Sequence, residues 1–237
     1  MMNKMRTNFF YLLCFATLFS CQQKPLGDYK GTPYSDKIYH GGPQTIPGKL
    51  QCEYYDFGGE GVAFHDTDST NSGSGKLNPA DGSYLNEFRM KEAVDISYTK
   101  FREPAIDNNP FNFVKPEKDQ LYVGWTAPGE WTKYTVNVKM TGTYELGIMY
   151  TSNQNGMISI SVNDQDKTGP LPVSSTFVAA DSIAWRQWHH WNYIDKLARI
   201  ELKKGLQTIT VHTVEIGQMN YDYINFEFKK PEIRKRD

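Results

Sequence analysis

From Leu50 to Phe228 the apolar residues recur at every second position, and that period limits what the chain can fold into more than any other feature. Tyr134, Val136 and Val138 alternate with Lys133, Thr135 and Asn137, and Ile158, Ile160 and Val162 with Ser159, Ser161 and Asn163. Ile209 and Val211 alternate with Thr208, Thr210 and His212, and Ile224, Phe226 and Phe228 close the series. Successive side chains of an extended strand point to opposite faces, so these runs read as half-buried antiparallel strands. Turn signals separate them at Thr141-Gly142, Asn163-Asp164, Lys204-Gly205 and Ile216-Gly217. No stretch offers three turns of amphipathic helix. The pattern predicts an all-β chain folded as a jelly-roll β-sandwich. Its 237 residues suffice for one domain of ordinary size that buries its core without disulfide staples. Two long loops, Asn71–Phe88 and Thr99–Gln120, reach lengths at which loops are often functional.

The N-terminus reads as an address. Lys4 and Arg6 precede an apolar run from Phe9 to Phe19. That run is too short to span a bilayer as a helix and fits the core of a secretory signal. Leu18-Phe19-Ser20-Cys21 resembles the bacterial lipobox, which predicts a signal peptide over 1–20, lipidation of Cys21 and a place on the bacterial cell envelope as an outer-membrane or cell-surface lipoprotein. Residues 21–48 are punctuated by Pro and Gly and read as a tether, 49–229 as the sandwich and 230–237 as a charged tail. With Cys14 and Cys21 in the leader, Cys52 stands alone in the body, so neither a disulfide framework nor a CxxC motif exists. A formal charge of −1 supplies no basic stripe for phosphates, which excludes nucleic acid as a partner.

No HExxH, GxSxG or Walker sequence occurs. His189 and His190 are adjacent and point apart in a strand, so they do not chelate one metal. Asp66 and Asp68 share strand parity, but they sit in the polar turn HDTDSTNSGSG, where Asp ordinarily bonds its own backbone. No catalytic residue is assigned. The tryptophans point elsewhere. All five lie between Trp125 and Trp191, three of them in AWRQWHHW. A buried indole N–H demands a partner, so a core rarely needs four tryptophans beside loop residues. Stacking on the C–H face of a pyranose does need them. Trp131 and Trp188 are expected to be structural.

Seven segments then match one family in order. They are Leu50-Gln51-Cys52-Glu53-Tyr54-Tyr55-Asp56, Gly58 to Asp68, Phe88-Arg89 with Val94-Asp95-Ile96, Val123 to Val138, Gly142-Thr143-Tyr144, Trp185-Arg186-Gln187-Trp188 and Asn220-Tyr221-Asp222-Tyr223-Ile224. Over roughly 49–229 the chain resembles the family 6 carbohydrate-binding modules. The resemblance implies a galactose-binding-domain-like sandwich that binds polysaccharide or oligosaccharide in a loop-end cleft. Trp125 and Trp185 would be its walls and Asn220 its hydrogen-bonding group, with Glu130 and Gln187 in support. It also implies a structural calcium held by Gln51, Glu53 and Asp222. Members often carry a carboxylate where Gln51 stands, and one charge fewer weakens such a site. The chain departs from the pattern in the Thr99–Gln120 loop and in Ser182-Ile183-Ala184, where the family has a Gly-Gly pair before Trp185. Three functions are open at this point: a glycan binder serving a separate carbohydrate-active enzyme, a small hydrolase or lyase on the same scaffold, and an adhesive sandwich that binds protein.

Overall fold

The computed structural model describes residues 26–39, 41–215 and 218–230. The leader, Cys21, the tail beyond 230 and the Ile216-Gly217 turn signal lie outside the described residues. Thirteen strands follow in chain order: β1 Gln44–Ile46, β2 Gly48–Gln51, β3 Phe64–His65, β4 Ile96–Tyr98, β5 Leu121–Val123, β6 Trp131–Val138, β7 Gly142–Ser152, β8 Gly156–Val162, β9 Gln165–Asp166, β10 Leu171–Val173, β11 Asn192–Leu202, β12 Gly205–Glu215 and β13 Met219–Phe228. Among the described residues one four-residue α-helix, Tyr84–Glu87, is capped by Ser83. Two sheets result. One runs β1-β6-β12-β8-β10, with β3 on β6 and β9 on β8; the other runs β11-β7-β13-β5-β4, with β2 on β13. None of the described helices is long and apolar enough to cross a membrane.

The period of two does what it predicts. Tyr134, Val136 and Val138 of β6 face inward with Ile158, Ile160 and Val162 of β8 and Ile209 and Val211 of β12. Leu146, Ile148 and Tyr150 of β7 meet them from the other sheet, beside Ile224 and Phe226 of β13. Each such side chain contributes about 1.5–3 kcal/mol by leaving water, which is what holds two twisted sheets face to face.

The tether expected over 21–48 is corrected by the structure. Thr32 and Phe57 exchange backbone hydrogen bonds of 2.8 Å in both directions. Tyr34 is buried against Tyr54, Phe57 and Phe88, and its hydroxyl donates to Asp36 at 2.6 Å. β1 pairs in parallel with β6, with Ile46 opposite Val138 and fully buried. Gln44 locks this segment to β2, for the Gln51 N–H donates to Gln44 Oε1 at 2.8 Å. The sandwich therefore incorporates residues well upstream of 49. A strand of three residues is too short to display a period, and the Pro and Gly around it mark tight turns, here within the domain.

Ile46→Ala is expected to lower the unfolding free energy by about 2–5 kcal/mol in urea titrations, as for a core residue. A residue of a free tether would change it by less than about 0.5 kcal/mol.

Candidate functional site

At one end of the sandwich a cleft of about 870 Å³ opens between two segments. The first follows β5. Gly124 leads into Trp125, whose φ of 49° places a bulky residue in the left-handed region. That conformation is costly and is held from outside. Thr126 does the holding: its Oγ1 donates to the Met219 carbonyl and accepts from the Met219 N–H, each at 3.2 Å. The indole is thereby thrown outward, 42% exposed.

The second segment is a 3-10 helix, Ala184–His189. At three residues per turn, positions i and i+3 stand above one another. Trp185 and Trp188 consequently share the cleft side, while Gln187 and the following His190 are buried. Trp185 is 48% exposed. Trp188, expected to be structural, lines the cleft, and this is a correction. Its carbonyl is fixed by two strands at once, accepting from Thr151 Oγ1 and from Asn220 Nδ2, both at 2.8 Å. Thr151 and Asn220 are themselves register partners across β7 and β13. The buried tryptophan is Trp191, edge-on to Tyr122.

Asn220 lies at the cleft floor, 5% exposed. Its Nδ2 is committed to Trp188, which leaves Oδ1 without a donor among the described residues. Gly124 makes room for it, since a Cβ there would stand 2.8 Å from Asn220 Oδ1. Gln154, Gln218 and His189 add polar groups, and Leu77, Tyr122, Ala127 and Pro128 add apolar surface. Among the described residues, no Lys, Arg, Asp or Glu lines this cleft.

Two of the expected ligand residues do not face it. Gln187 is 4% exposed and turned inward. Its Oε1 accepts from the Val178 N–H at 3.0 Å, and its Nε2 donates to the Val178 and Asp181 carbonyls at 2.9 and 3.0 Å. It braces the approach to the helix and does not line the cleft. Glu130 ties two turns together, accepting from Thr67 Oγ1 at 2.6 Å and from the Ala127 N–H at 2.7 Å. It lines a separate small cavity beside Asp66 and Trp131. Trp131 is half-buried on β6, tilted against His212 and away from the cleft.

The residue that sequence reading missed is Asp107, fully buried in the Thr99–Gln120 loop. Its Oδ1 accepts from Trp191 Nε1 at 2.7 Å and meets His189 Nδ1 at 2.8 Å, while its Oδ2 accepts from the Lys100 N–H at 2.6 Å. Asp181 is a second buried anchor of the helix. It takes a two-pronged grip from Arg186, at 2.6 and 2.7 Å, and a bond from His190 at 2.9 Å. Arg186 first, then the backbone and His190, hold the Asp181 carboxyl well below the usual range against its burial. The two histidines thus serve different carboxylates; the strand expected for them is corrected, since His189 ends the 3-10 helix and His190 follows it.

Away from the cleft, Gln51, Glu53 and Asp222 come together where β2 runs into a 3-10 turn and meets β13. Gln51 Oε1, Glu53 Oε2 and Asp222 Oδ1 are buried and accept no hydrogen bond among the described residues. Burial, and then the charge of Asp222, pushes the Glu53 carboxyl well up. Burial lifts Asp222 to about 7 against the opposing pull of Lys49. Lys49 is instead turned to Glu117, at 3.9 Å, and to the ring of Tyr223.

The family described as "Carbohydrate binding module (family 6)" matches residues 109–230. No curated protein matches. Among solved structures, a family 6 module from Clostridium stercorarium in complex with cellobiose is similar over 80% of this chain and 99% of its own, at 14% identity and a TM-score of 0.46. The module from Cellvibrio mixtus lichenase 5A in complex with cellotriose is similar over 46% of this chain and 79% of its own, at 18% identity and a TM-score of 0.38. A family 35 module from Clostridium thermocellum is similar over 48% and 82%, at 22% identity and a TM-score of 0.38.

Gly124→Ala is expected to displace the Asn220 amide and lower the unfolding free energy by about 1–3 kcal/mol, as overpacking does. Wild-type stability in a urea titration would mean that Asn220 does not approach this backbone.

Proposed function

The chain belongs to the family 6 carbohydrate-binding modules, and its sandwich is a non-catalytic carbohydrate-binding unit; we propose that the glycan lies in the cleft walled by Trp125 and Trp185. The observation that carries this reading is a pair of half-exposed indoles on separate segments of one uncharged cleft, with Asn220 at its floor. Flat rings cover the C–H faces of a pyranose, and a few fixed polar atoms meet its hydroxyls. An open site of this kind binds weakly as a single unit, with dissociation constants of about 1 mM to 1 μM. The ligand is a polysaccharide or oligosaccharide. A separate carbohydrate-active enzyme is the partner such a chain serves.

We read the whole chain as a binder. Asp66 Oδ1 accepts from the Asp68 N–H at 3.0 Å and Asp68 Oδ1 from the Thr70 N–H at 2.6 Å, as carboxylates that shape a turn do. Burial lifts Asp66 to about 7, with Glu130, Asp95 and Asp68 adding to it. The leader and Cys21 support a lipid-anchored place on the bacterial envelope.

Native affinity electrophoresis of residues 26–230 through xylan, β-1,3-glucan, mixed-linkage glucan, agarose or mannan tests the cleft. Retardation by at least one glycan, abolished in the Trp125→Ala/Trp185→Ala variant, is the expected result. Retardation that survives the double substitution would move the site elsewhere. Reducing ends released by the chain and lost with Asp66→Asn would assign hydrolysis instead.

We further propose that Gln51, Glu53 and Asp222 hold a structural calcium. The fit rests on their three orphaned buried oxygens, since calcium takes six to eight oxygen ligands, amide and backbone carbonyls among them. Bound there, the ion supplies positive charge between the two carboxylates. Without it, both carboxyls titrate higher in the folded than in the unfolded chain. Stability is then lost as pH rises from about 4, the unfolded value, through about 7, where Asp222 titrates. Melting curves in EDTA are expected to fall across that window. Calcium at about 100 times its dissociation constant would add roughly 2.7 kcal/mol and flatten the decline. Identical curves with and without calcium would remove the ion from the reading.

A further inference from the structure

We propose that His189 is a ligand-contacting, specificity-determining residue of the cleft, presenting Nε2 as a hydrogen-bond acceptor to a glycan hydroxyl. This rests on the cleft being the binding site. His189 lines that cleft beside Trp185, whose ring it meets edge-on with centroids 5.8 Å apart. Its Nδ1 is taken up by Asp107 Oδ1 at 2.8 Å.

The tautomer of the neutral ring follows from Asp107. Both of its oxygens already accept hydrogen bonds from fixed donors, Oδ1 from Trp191 Nε1 and Oδ2 from the Lys100 N–H. With both oxygens engaged as acceptors, His189 Nδ1 is the donor in its contact with Oδ1. When one imidazole nitrogen of a neutral ring donates, the other is an acceptor. Nε2 has no partner among the described residues, and the side chain remains 18% exposed. The Asp107 bond holds the ring, and Asn109 Nδ2 donates to the His189 carbonyl at 2.8 Å, which fixes the backbone beneath it.

Asn220 Oδ1, which has no donor among the described residues, offers the cleft a second acceptor, while Nδ2 gives one of its two hydrogens to Trp188. Two acceptors at fixed places require two hydroxyls that donate. The cleft therefore selects a sugar unit with free hydroxyls at both positions and refuses one that is etherified or esterified there. A ring of the same shape without nitrogen would keep the contact with Trp185 and lose this selection.

The test uses residues 26–230 in gels of mixed-linkage glucan, xylan and β-1,3-glucan. His189→Phe keeps a ring, and His189→Gln places an amide near the former Nε2. Affinity for whichever of these glycans retards the wild-type chain is expected to fall roughly three- to tenfold in His189→Phe, the value of one hydrogen bond, and to recover in part in His189→Gln. Nitrogen-15 spectra of the wild-type chain at pH 8 are expected to show His189 protonated on Nδ1 and bare on Nε2, with the Nε2 resonance moving on addition of that glycan. The spectra stand even where a variant fails to fold. Undiminished affinity in His189→Phe, or an Nε2 resonance unmoved at saturation, would overturn the proposal while leaving the cleft intact. Loss of all retardation in the wild-type chain would instead remove the reading of the cleft itself.

Discussion

The aromatic end of this molecule depends on two buried carboxylates that anchor one short helix. Asp107 reaches in from the long loop to Trp191 and His189, and Asp181 grips Arg186 and His190. A 3-10 helix of six residues has little stability of its own, because its hydrogen bonds are poor and its side chains eclipse. Here every residue from Arg186 to Trp191 except the outward Trp188 makes a side-chain bond or cap to one of these anchors or to the loop bracing them. Trp188 is held by its carbonyl instead. The outward face can therefore carry large apolar rings in water without collapsing onto the sandwich.

How much of this was legible in the sequence follows from which interactions leave a periodic trace. The long strands β6, β8, β12 and β13 were plain because one face of each is buried over many residues, so Ile209 and Val211 had to alternate with threonines. Trp125, Trp185 and Asn220 were legible through the family motifs, and the cleft does bring all three together. The three-residue β1 left no such trace, and Tyr34 in a Pro- and Gly-rich stretch looked like one aromatic among polar neighbours. Its burial depends on Tyr54, Phe57 and Phe88, which are distant in sequence.

The misplaced side chains share a cause. Gln187 and Glu130 are polar residues beside tryptophans, and proximity in sequence suggested a shared ligand. In both, the local turn decides instead. A turn of 3-10 helix sends Gln187 inward while its neighbours face out, and Glu130 closes the turn it belongs to. Asp107 was invisible for the opposite reason. Its partners Trp191 and His189 lie some eighty residues away, and nothing periodic in the loop announces them. The trio Gln51, Glu53 and Asp222 was legible only as a motif. Its physical signature, three oxygens out of water without donors, exists only once β2 and β13 have paired.

The packing of Tyr34 and β1 also sets a leash length. Were residues 21–48 free, a module anchored at Cys21 would swing through a radius approaching about 95 Å at full extension. With the chain captured near Tyr29, whose hydroxyl donates to Asp56, fewer than ten residues would separate the anchor proposed at Cys21 from the domain, and the radius would shrink to about 28 Å. That is comparable to the thickness of the bilayer's own hydrocarbon layer. A module so tethered would patrol a thin shell against its membrane. A weak single-site affinity would then be exercised at the high local concentration of a crowded surface, where neighbouring copies could meet the same polymer chain.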